Sequence, residues 1–429
     1  VQKIISFEEI EVESLFIKDI LDEKNYDKII NQSLKRNMPA CIIYTSGTSG
    51  DPKGVVLSHG GILSNCQGAV ELLETLIKKK DPIFLTWLPL SHSYEHTVQF
   101  IQIIVGAKIY YAESLEKLIF SMGVAKPTIM TAVPRFYQNL YTKININFEK
   151  QSGIKKFLIF QTLRLGKMLL NNKRLKFREK ILNFFCQNLV RKKVQQQFGG
   201  NLQAFISGGG ALDQNIGEFL NAIGLPTLQG YGLTEASPVV SCNLPDLVKV
   251  ETVGPPFSTN KVKIAGDGEI LIKGENVMLG YWNKKSETNE VIKNGWLYTG
   301  DIGEIDKLGY LKITDRKKDI IVNHGGDNIS PSKIENILCL NDNIDQAFVY
   351  GDRKNYLVAI VIVKREAKKE KIRTIIDNIN KNLTLIEKVK KFIIINKEFT
   401  IENRMLTPTL KLKRKEITKN YKQELENLY

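Results

Sequence analysis

A short segment rich in glycine and hydroxyl side chains is the sharpest chemical signal in the sequence. From Tyr44 to Val55 it reads YTSGTSGDPKGV, directly after the apolar run at 41–43. Glycines let backbone N–H groups approach phosphate oxygens, while hydroxyl groups and a lysine add further donors. We therefore predict a phosphate-binding loop. Its predicted contacts are Thr45, Ser46, Gly47, Thr48, Ser49, Gly50 and Lys53.

The spacing of this loop differs from that of a Walker A loop. In a Walker A loop a glycine precedes the lysine and a serine or threonine follows it, whereas here Pro52 and Gly54 flank Lys53. A plain turn is the alternative interpretation, because glycine and serine are common in turns. The combination of lysine, hydroxyls and glycines at close spacing favours the phosphate-binding interpretation.

Six further segments carry polar, aromatic or glycine clusters. They are LPLSHSYE at 88–95, SGGGAL at 207–212, QGYGLTEASP at 229–238, WLYTGD at 296–301, DRKKDI at 315–320 and LTPTLKLKR at 406–414. With the loop, these segments resemble the motifs of the adenylate-forming (AMP-binding) superfamily, in the order in which that family has them. The resemblance covers the chain from about residue 44 to residue 414.

The resemblance implies how ATP and Mg²⁺ are bound. The 45–53 loop would hold the β- and γ-phosphates, and Gly208, Gly209 and Gly210 would form the loop beside adenine. In the motif that contains Gly232, Tyr231 would offer its ring to adenine and Thr234 its hydroxyl to the α-phosphate. Glu235 would supply the carboxylate for a phosphate-bound Mg²⁺. In isolation, Tyr231 could equally be a core residue.

Asp301 and Arg316 are implied to bind the ribose, although a lone aspartate could also cap a turn. The resemblance further implies that Lys411 bridges the attacking carboxylate and the α-phosphate, where it would reduce the repulsion between two anions. Outside the Thr-Pro-Thr-Leu sequence that precedes it, Lys411 would be one member of an ordinary basic run.

Three further roles follow from the same resemblance. Lys318 would be the hinge of a C-terminal lid, and the loop at Gly325 and Gly326 would face the thiol of coenzyme A in the second step. His92 would gate or line the acyl pocket, with a hydrogen-bonded structural histidine as the alternative.

The implied reaction has two steps. A fatty acid and Mg-ATP give an acyl-adenylate and pyrophosphate, and coenzyme A then displaces AMP. The fatty-acyl branch of the family resembles this chain most, through the motifs at 88–95, 229–238 and 406–414 and through a helical insertion at 151–198. His96, where that branch often has arginine, and Gly210, where alanine is usual, depart from it. The alternatives are transfer to another thiol such as an acyl carrier protein, and an inactive nucleotide- or membrane-binding truncated homologue.

Composition bounds the partners. The chain has 429 residues, 43% apolar content and a formal net charge of +15. Fourteen of the 61 lysines and arginines lie between residues 143 and 200, against two acids. Such a basic segment suits an anionic membrane, a polyanionic cofactor or a solvated lysine-rich face. We expect peripheral contact with an anionic membrane and no nucleic-acid binding, because interleaved aromatic and basic recognition motifs are missing.

Local patterns locate several elements. Ser58 and Asp213 are predicted helix caps. The sequence further predicts a strand at 225–229, a hairpin at 262–272 around a Gly-Asp-Gly turn and another turn at 306–309.

The fold class predicted by the alternation of strand and helix signals is α/β. By resemblance it is the adenylate-forming fold, with α/β subdomains, a small β-rich subdomain and a mobile α+β C-terminal lid domain. The predicted boundaries are 1–314 for the large domain, with the basic insertion at 151–198 and the β-rich part at 254–314, and 315–429 for the lid. Scattered cysteines at an odd count of five predict a reducing, cytoplasmic setting.

The large domain is expected to be incomplete at its N-terminus. Family members have a sizeable α/β subdomain before the phosphate loop, whereas 43 residues precede Tyr44 here. The apolar segment 81–112 is then expected to be partly uncovered, and the isolated chain to be a poor enzyme.

Overall fold

The computed structural model describes residues 5–6, 15–16, 33–45, 52–114, 116–364, 368–407 and 412–429. The chain divides into two compact units, 1–35 and 36–429. In the first unit, Ile5–Ser6 (β1) and Leu15–Phe16 (β2) pair in parallel. In the second unit, Pro39–Thr45 (β3) and Lys53–Ser58 (β4) pair antiparallel, with Thr45 opposite Lys53. The predicted phosphate loop therefore connects two paired strands.

The largest sheet of the second unit has six strands. They are Ile83–Thr86 (β5), Lys108–Tyr111 (β6), Ile129–Ala132 (β7), Ala204–Ser207 (β8), Thr227–Gly232 (β9) and Val239–Cys242 (β10). The spatial order is β10-β9-β8-β7-β5-β6, parallel except for β10. The carboxyl ends of the parallel strands therefore lie at one edge, the edge where open α/β sheets bind ligands.

Helices follow most of these strands. They are His59–Ile77 (α1), Ser93–Ile104 (α2), Leu118–Ala125 (α3), Pro134–Glu149 (α4), Gly153–Leu170 (α5), Phe177–Cys186 (α6), Lys192–Gln197 (α7) and Gln214–Ala222 (α8). Two hydrophobic cores lie on opposite faces of the sheet, because successive side chains of a strand point to opposite faces. Phe84 and Ile129 join one core, while their neighbours Leu85 and Met130 join the other.

Two helix starts predicted from the sequence are confirmed. The Ser58 hydroxyl accepts a hydrogen bond from the Gly61 N–H at 3.0 Å and caps α1. The Asp213 carboxylate accepts from the N–H groups of Asn215 and Ile216 and caps α8. Each cap satisfies N–H groups that the first helical turn leaves unpaired. The strand after α8 begins at Thr227, two residues later than the apolar run predicts.

A second set of strands follows the large sheet. They are Asn260–Ile264 (β11), Glu269–Gly274 (β12), Gly280–Tyr281 (β13), Ile292–Lys293 (β14), Trp296–Ile305 (β15) and Leu311–Arg316 (β16), with Lys285–Val291 (α9) between β13 and β14. The hairpin predicted at 262–272 is the β11–β12 pair, and the turn predicted at 306–309 joins β15 to β16. Strand β13 leaves this set and pairs with β4.

The residues after β16 build their own α+β core. The strands are Ile321–Val322 (β17), Asn328–Ile329 (β18), Ile344–Tyr350 (β19), Leu357–Val363 (β20) and Val389–Ile395 (β21). The helices are Pro331–Cys339 (α10), Lys369–Asn380 (α11), Arg414–Asn420 (α12) and Lys422–Glu426 (α13). This part contacts the region of the six-stranded sheet at two places. Leu340 packs against the core that contains Leu85 and Met130, and Arg135 forms an ion pair with Asp345 at 3.3 Å.

The basic segment 151–198 is helical, as predicted, and consists of α5, α6, a π-helical turn at Gln187–Arg191 and α7. Its apolar stripe at Ile181, Phe184, Phe185 and Leu189 is exposed rather than packed against the protein. The 3.6-residue periodicity locates the stripe but does not decide which side of it faces the core.

The apolar segment 81–112 is buried only in part. Phe84 and Ile101 are core residues, whereas Phe100, Ile103 and Ile104 are exposed beside the edge strand β6. Among the described residues, none of the helices is both long and apolar enough to cross a membrane.

Candidate active site

The segment 231–235, at the end of β9, is where side chains from several separate motifs meet. The Tyr231 hydroxyl donates a hydrogen bond to Asp301 Oδ2 at 2.7 Å. The Arg316 Nε donates to Asp301 Oδ1 at 3.0 Å, across the β15–β16 pair in which these two residues are register partners. Asp301 is buried, and burial together with this carboxylate raises the pKa of Tyr231 well above its usual value.

The glycine-rich loop after β8 and the start of α2 adjoin the same segment. The hydroxyls of Thr234 and Ser93 lie 3.1 Å apart. The neighbouring Tyr94 hydroxyl donates to the Ile206 carbonyl at 3.1 Å, and a Cβ atom added to Gly208 would lie 2.8 Å from the Tyr94 ring. Only glycine therefore fits at position 208 with Tyr94 in place.

Glu235 takes part in a second polar chain. Its Oε1 accepts a hydrogen bond from the Tyr281 hydroxyl at 2.9 Å. The Lys53 ammonium lies 4.8 Å from the centre of the Tyr281 ring and forms an ion pair with Glu287 of α9. Burial, then Glu235, raises the pKa of Tyr281, so its hydroxyl stays a donor. The pairing of β13 with β4 brings Tyr281 and Lys53 together.

The phosphate loop is described at its two ends. The Thr45 hydroxyl donates to the Lys53 carbonyl at 3.5 Å, at the base of the β3–β4 pair. The other predicted loop residues lie outside the described residues; they are Ser46, Gly47, Thr48, Ser49 and Gly50. Lys53 is paired with Glu287, which a phosphate group would have to replace as its partner.

His92 acts as a cap in this structure. It precedes α2, and its Nδ1 accepts a hydrogen bond from the Tyr94 N–H at 3.3 Å. This arrangement matches the structural-histidine alternative raised by the sequence. Gly209 has a φ of 78°, which glycine adopts without strain, and Gly210 is exposed. A Cβ atom added to Gly232 would lie 2.0 Å from the Pro238 carbonyl oxygen, so only glycine fits at this position.

The predicted lid residues are exposed. Lys318 has no described partner in a hydrogen bond or ion pair, while its neighbour Lys317 pairs with Asp267 at 2.7 Å and Glu269 at 2.9 Å. Gly325 and Gly326 lie in the exposed turn between β17 and β18. Burial raises the pKa of Asp315, at the predicted hinge, to about 6.

Lys411 lies outside the described residues. Its flanks are anchored, because Leu412 bridges to Leu406 and the Lys413 N–H donates to the Met405 carbonyl at 2.8 Å. Arg414 then pairs with Glu335 at 2.7 Å.

The donors around Glu235 fit a magnesium ion that is shared with phosphate. Among the described residues, no group of three histidine, cysteine, aspartate or glutamate side chains could hold a metal by itself. Mg²⁺ commonly takes one or two protein carboxylates and completes its shell with phosphate oxygens and water. Glu235, which accepts a hydrogen bond from Tyr281 beside Thr234, would suit as such a carboxylate. Two open depressions elsewhere on the described surface contain none of the predicted site residues.

Several residues of this site were missed by sequence reasoning. Ser93, Tyr281 and Glu287 touch Thr234, Glu235 and Lys53 respectively, over separations of 141 and 46 residues for the first two pairs. Neither Tyr281 nor Glu287 lies in one of the family motifs, so the sequence carries no signal for its place in the site. Ser93 lies in the 88–95 motif beside His92, the residue of that motif to which the resemblance assigns a role.

Glu95, also in that motif, is fully buried and accepts a hydrogen bond from the Thr131 hydroxyl at 2.9 Å. Burial raises its pKa to about 7. The folded protein therefore keeps a proton that the unfolded chain releases near pH 4.5, so stability should fall as pH rises from about 4.5 to 7 and level off above that.

At pH 8 we expect Glu95→Gln to be more stable than the parent and to unfold at a higher temperature. For a pKa shift of this size, the free energy of unfolding should rise by on the order of 3 kcal/mol. At pH 4, below both pKa values, the glutamate is mostly neutral in the folded protein and in the unfolded chain, so the two proteins should unfold alike. Thermal unfolding at the two pH values tests this, with exposed Glu424→Gln as control. A gain that is equal at both pH values would contradict it.

Comparison of the sequence with known proteins shows the family of the chain. The AMP-binding enzyme profile matches residues 2–282, and that of the AMP-binding enzyme C-terminal domain matches 318–429. The chain therefore belongs to the family of AMP-binding enzymes.

Among its relatives is the long-chain-fatty-acid–CoA ligase FadD15 of Mycobacterium tuberculosis, 32% identical over 430 residues. The match covers 92% of this chain and 70% of that ligase. Long-chain-fatty-acid–CoA ligase 1 of Homo sapiens is 30% identical, over 91% of this chain and 61% of the human protein.

Solved structures share the fold. O-succinylbenzoate coenzyme A synthetase from Bacillus subtilis, in complex with ATP and magnesium, superposes with a TM-score of 0.70 at 22% identity, covering 94% of this chain and 75% of the synthetase. ATP-bound MatB from Rhodopseudomonas palustris gives 0.67 at 22% identity, covering 91% and 70%. The adenylate-forming fold predicted from the motifs is confirmed.

Proposed function

We propose that this chain activates a long-chain fatty acid with ATP and transfers it to coenzyme A. In the first step a carboxylate oxygen of the acid bonds to the α-phosphorus and the bond to pyrophosphate breaks. In the second step the thiol sulfur bonds to the acyl carbon, the bond to AMP breaks and the thiol proton is released. The protein forms no covalent intermediate in this scheme.

One observation carries the proposal: three side chains of segment 231–235 contact three other parts of the chain. Tyr231 contacts Asp301, Thr234 contacts Ser93, and Glu235 contacts Tyr281. Aromatic, hydroxyl and carboxylate groups are what adenine, the α-phosphate and Mg²⁺ require. A nucleotide-binding site therefore explains why these three groups lie together better than three unrelated structural contacts do.

The remaining residues are assigned within this proposal. Asp301 and Arg316 hold the ribose, Lys53 meets the distal phosphates after leaving Glu287, and Mg²⁺ bound by Glu235 and phosphate would neutralise charge on the triphosphate. Lys411 serves the first step, and the Gly325–Gly326 turn serves the second after rotation at Lys318. We place the protein in the cytoplasm, at the membrane surface.

The long-chain acid is the substrate favoured by the named relatives, which are long-chain-fatty-acid–CoA ligases. The test is pyrophosphate release with palmitate, octanoate and benzoate, each with and without coenzyme A. We expect pyrophosphate release that is weak in the isolated chain but depends on palmitate, and AMP release that requires coenzyme A. If AMP were released with an acyl carrier protein and not with coenzyme A, the carrier protein would be the thiol acceptor. If no acid caused pyrophosphate release, the proposal would be overturned.

A further inference from the structure

The hairpin of α5 and α6 exposes two apolar stripes to solvent. On α5 the stripe is Ile154, Phe157 and Phe160, spaced by three residues; on α6 it is Phe177, Ile181 and Phe184, spaced by four and three. We call these six residues the outer face. Phe160, Phe177 and Phe184 are 64%, 78% and 65% exposed. Helical spacing makes each set one continuous stripe.

The opposite side of the hairpin packs closely against α8, so the outer face is exposed although the hairpin itself is held in place. A Cβ atom added to Gly166 of α5 would lie 2.5 Å from the Ala222 Cα of α8. Buried Arg191 donates to the carbonyls of Ala222 and Thr162 at 2.8 and 3.2 Å, and to Asn183 Oδ1. The hairpin therefore has an inner side fixed on α8 and an outer side left apolar.

Cations interleave with the apolar stripes. The Arg164 guanidinium, between the helices, pairs with Glu179 at 2.9 Å. Along the outer face, by contrast, six exposed cations form no ion pair with any described residue. They are Lys155, Lys156, Lys173, Arg174, Arg178 and Lys180. The hairpin thus joins exposed aromatic surface to uncompensated positive charge.

A depression at the turn of the hairpin adds a separate observation. It measures about 460 Å³ and lies between Leu169 and Asn183, with Lys173, Arg174 and Lys180 on its wall. Three cations around one concavity suit a phosphate group better than an apolar ligand. An anionic headgroup could therefore sit here while the aromatic rings enter the layer around it.

We propose that the outer face docks on a bilayer that contains anionic phospholipid. Amphipathic helices with aromatic residues on one face and lysine and arginine beside it bind membrane interfaces in this way. The choice of a lipid surface rests partly on the proposed function, since a long-chain acid partitions into bilayers. The inner side packs on α8, which begins at the cap Asp213 directly after the glycine-rich loop, so the docked face lies one helix away from the site.

The other occupants are less suited to this face. A second copy would bring its own cations against these six, and like charges oppose association. A nucleic acid would be drawn by the charge and could stack bases on the phenylalanines, but the aliphatic residues Ile154 and Ile181 would then stay exposed to water. Both remain outcomes that the experiment can detect.

The test is flotation of the whole chain, without ATP or fatty acid, on phosphatidylcholine vesicles with and without phosphatidylglycerol. The charge variant is Lys173→Gln, Arg174→Gln and Lys180→Gln; its control, of equal charge change, is Lys369→Gln, Lys371→Gln and Lys390→Gln on the C-terminal part. The apolar variant is Phe157→Ser, Phe160→Ser and Phe184→Ser; its control is Phe120→Ser, 73% exposed on α3.

We expect binding to anionic vesicles only, weaker at high salt. The charge variant should bind about a hundredfold more weakly, since each basic residue near an anionic surface contributes about fivefold. The apolar variant should also lose binding, while both controls bind like the parent. Unchanged thermal unfolding would show that the variants remain folded.

Equal binding to neutral vesicles, no binding, or equal losses in the charge variant and its control would overturn the proposal. So would tighter binding to a single-stranded oligonucleotide, or a dimer in solution that the apolar variant converts to a monomer. Vesicle binding is measured without turnover, so the two proposals can fail separately. No vesicle binding together with palmitate-dependent pyrophosphate release would refute docking alone. Vesicle binding without acid-dependent pyrophosphate release would refute the activity alone.

Discussion

Replacing Lys411 by alanine is expected to abolish acyl-adenylate formation while sparing most thioester formation from supplied acyl-adenylate. In the first step two anions, the carboxylate and the α-phosphate, must meet, and a lysine between them stabilises the charge of the transition state. Loss of one such group lowers the rate by about 10²–10³-fold. The second step has no such encounter of anions and proceeds in the other lid position.

The measurement is pyrophosphate release for the first step and acyl-CoA formation from synthetic acyl-adenylate for the second. The matched control is Lys415→Ala, which removes an exposed lysine of the same basic run. The described anchors on either side, Leu406 with Leu412 and Arg414 with Glu335, are untouched by either change. Equal loss in both steps would show that Lys411 acts on the fold or on binding in general.

Replacing Glu235 by glutamine is expected to raise the Mg²⁺ concentration needed for half-maximal activity at least tenfold. The amide keeps an oxygen that can accept the hydrogen bond from Tyr281, so the local structure should persist while the negative charge is lost. A tenfold loss corresponds to about 1.4 kcal/mol of binding free energy. Excess Mg²⁺ should restore part of the rate.

Magnesium titrations of pyrophosphate release test this expectation. Tyr281→Phe removes the hydrogen bond but keeps the charge and the ring beside Lys53, so it should shift the titration less, in the same direction. Glu290→Gln on α9 is exposed and should behave like the parent. An unchanged Mg²⁺ dependence in Glu235→Gln would remove the metal role from this residue.

Local features of the fold could be predicted because they depend on neighbours in the sequence. The caps at Ser58 and Asp213 hydrogen-bond to N–H groups two or three residues on, and the β11–β12 turn is set by a short Gly-Asp-Gly sequence. The family motifs likewise carry their chemistry within a few residues. The sequence alone therefore sufficed for the α/β class and the family, while the roles of the individual site residues stay predictions.

The contacts between motifs required the tertiary structure. Asp301 meets Arg316 because β15 and β16 pair in one register, and Tyr281 meets Glu235 because β13 leaves its own sheet to pair with β4. Periodicity alone does not specify a strand's partner, since a shift by one residue would turn each side chain to the other face.

The basic hairpin shows the same division between sequence and structure. The sequence determined that α6 has an apolar stripe through Ile181 and Phe184 with cations beside it. Only the tertiary structure decided that this stripe faces solvent, because the packing of Gly166 against Ala222 fixes which side of the hairpin faces α8. An amphipathic pattern specifies that two faces differ, whereas the surface that covers the apolar face depends on the rest of the fold or on a partner.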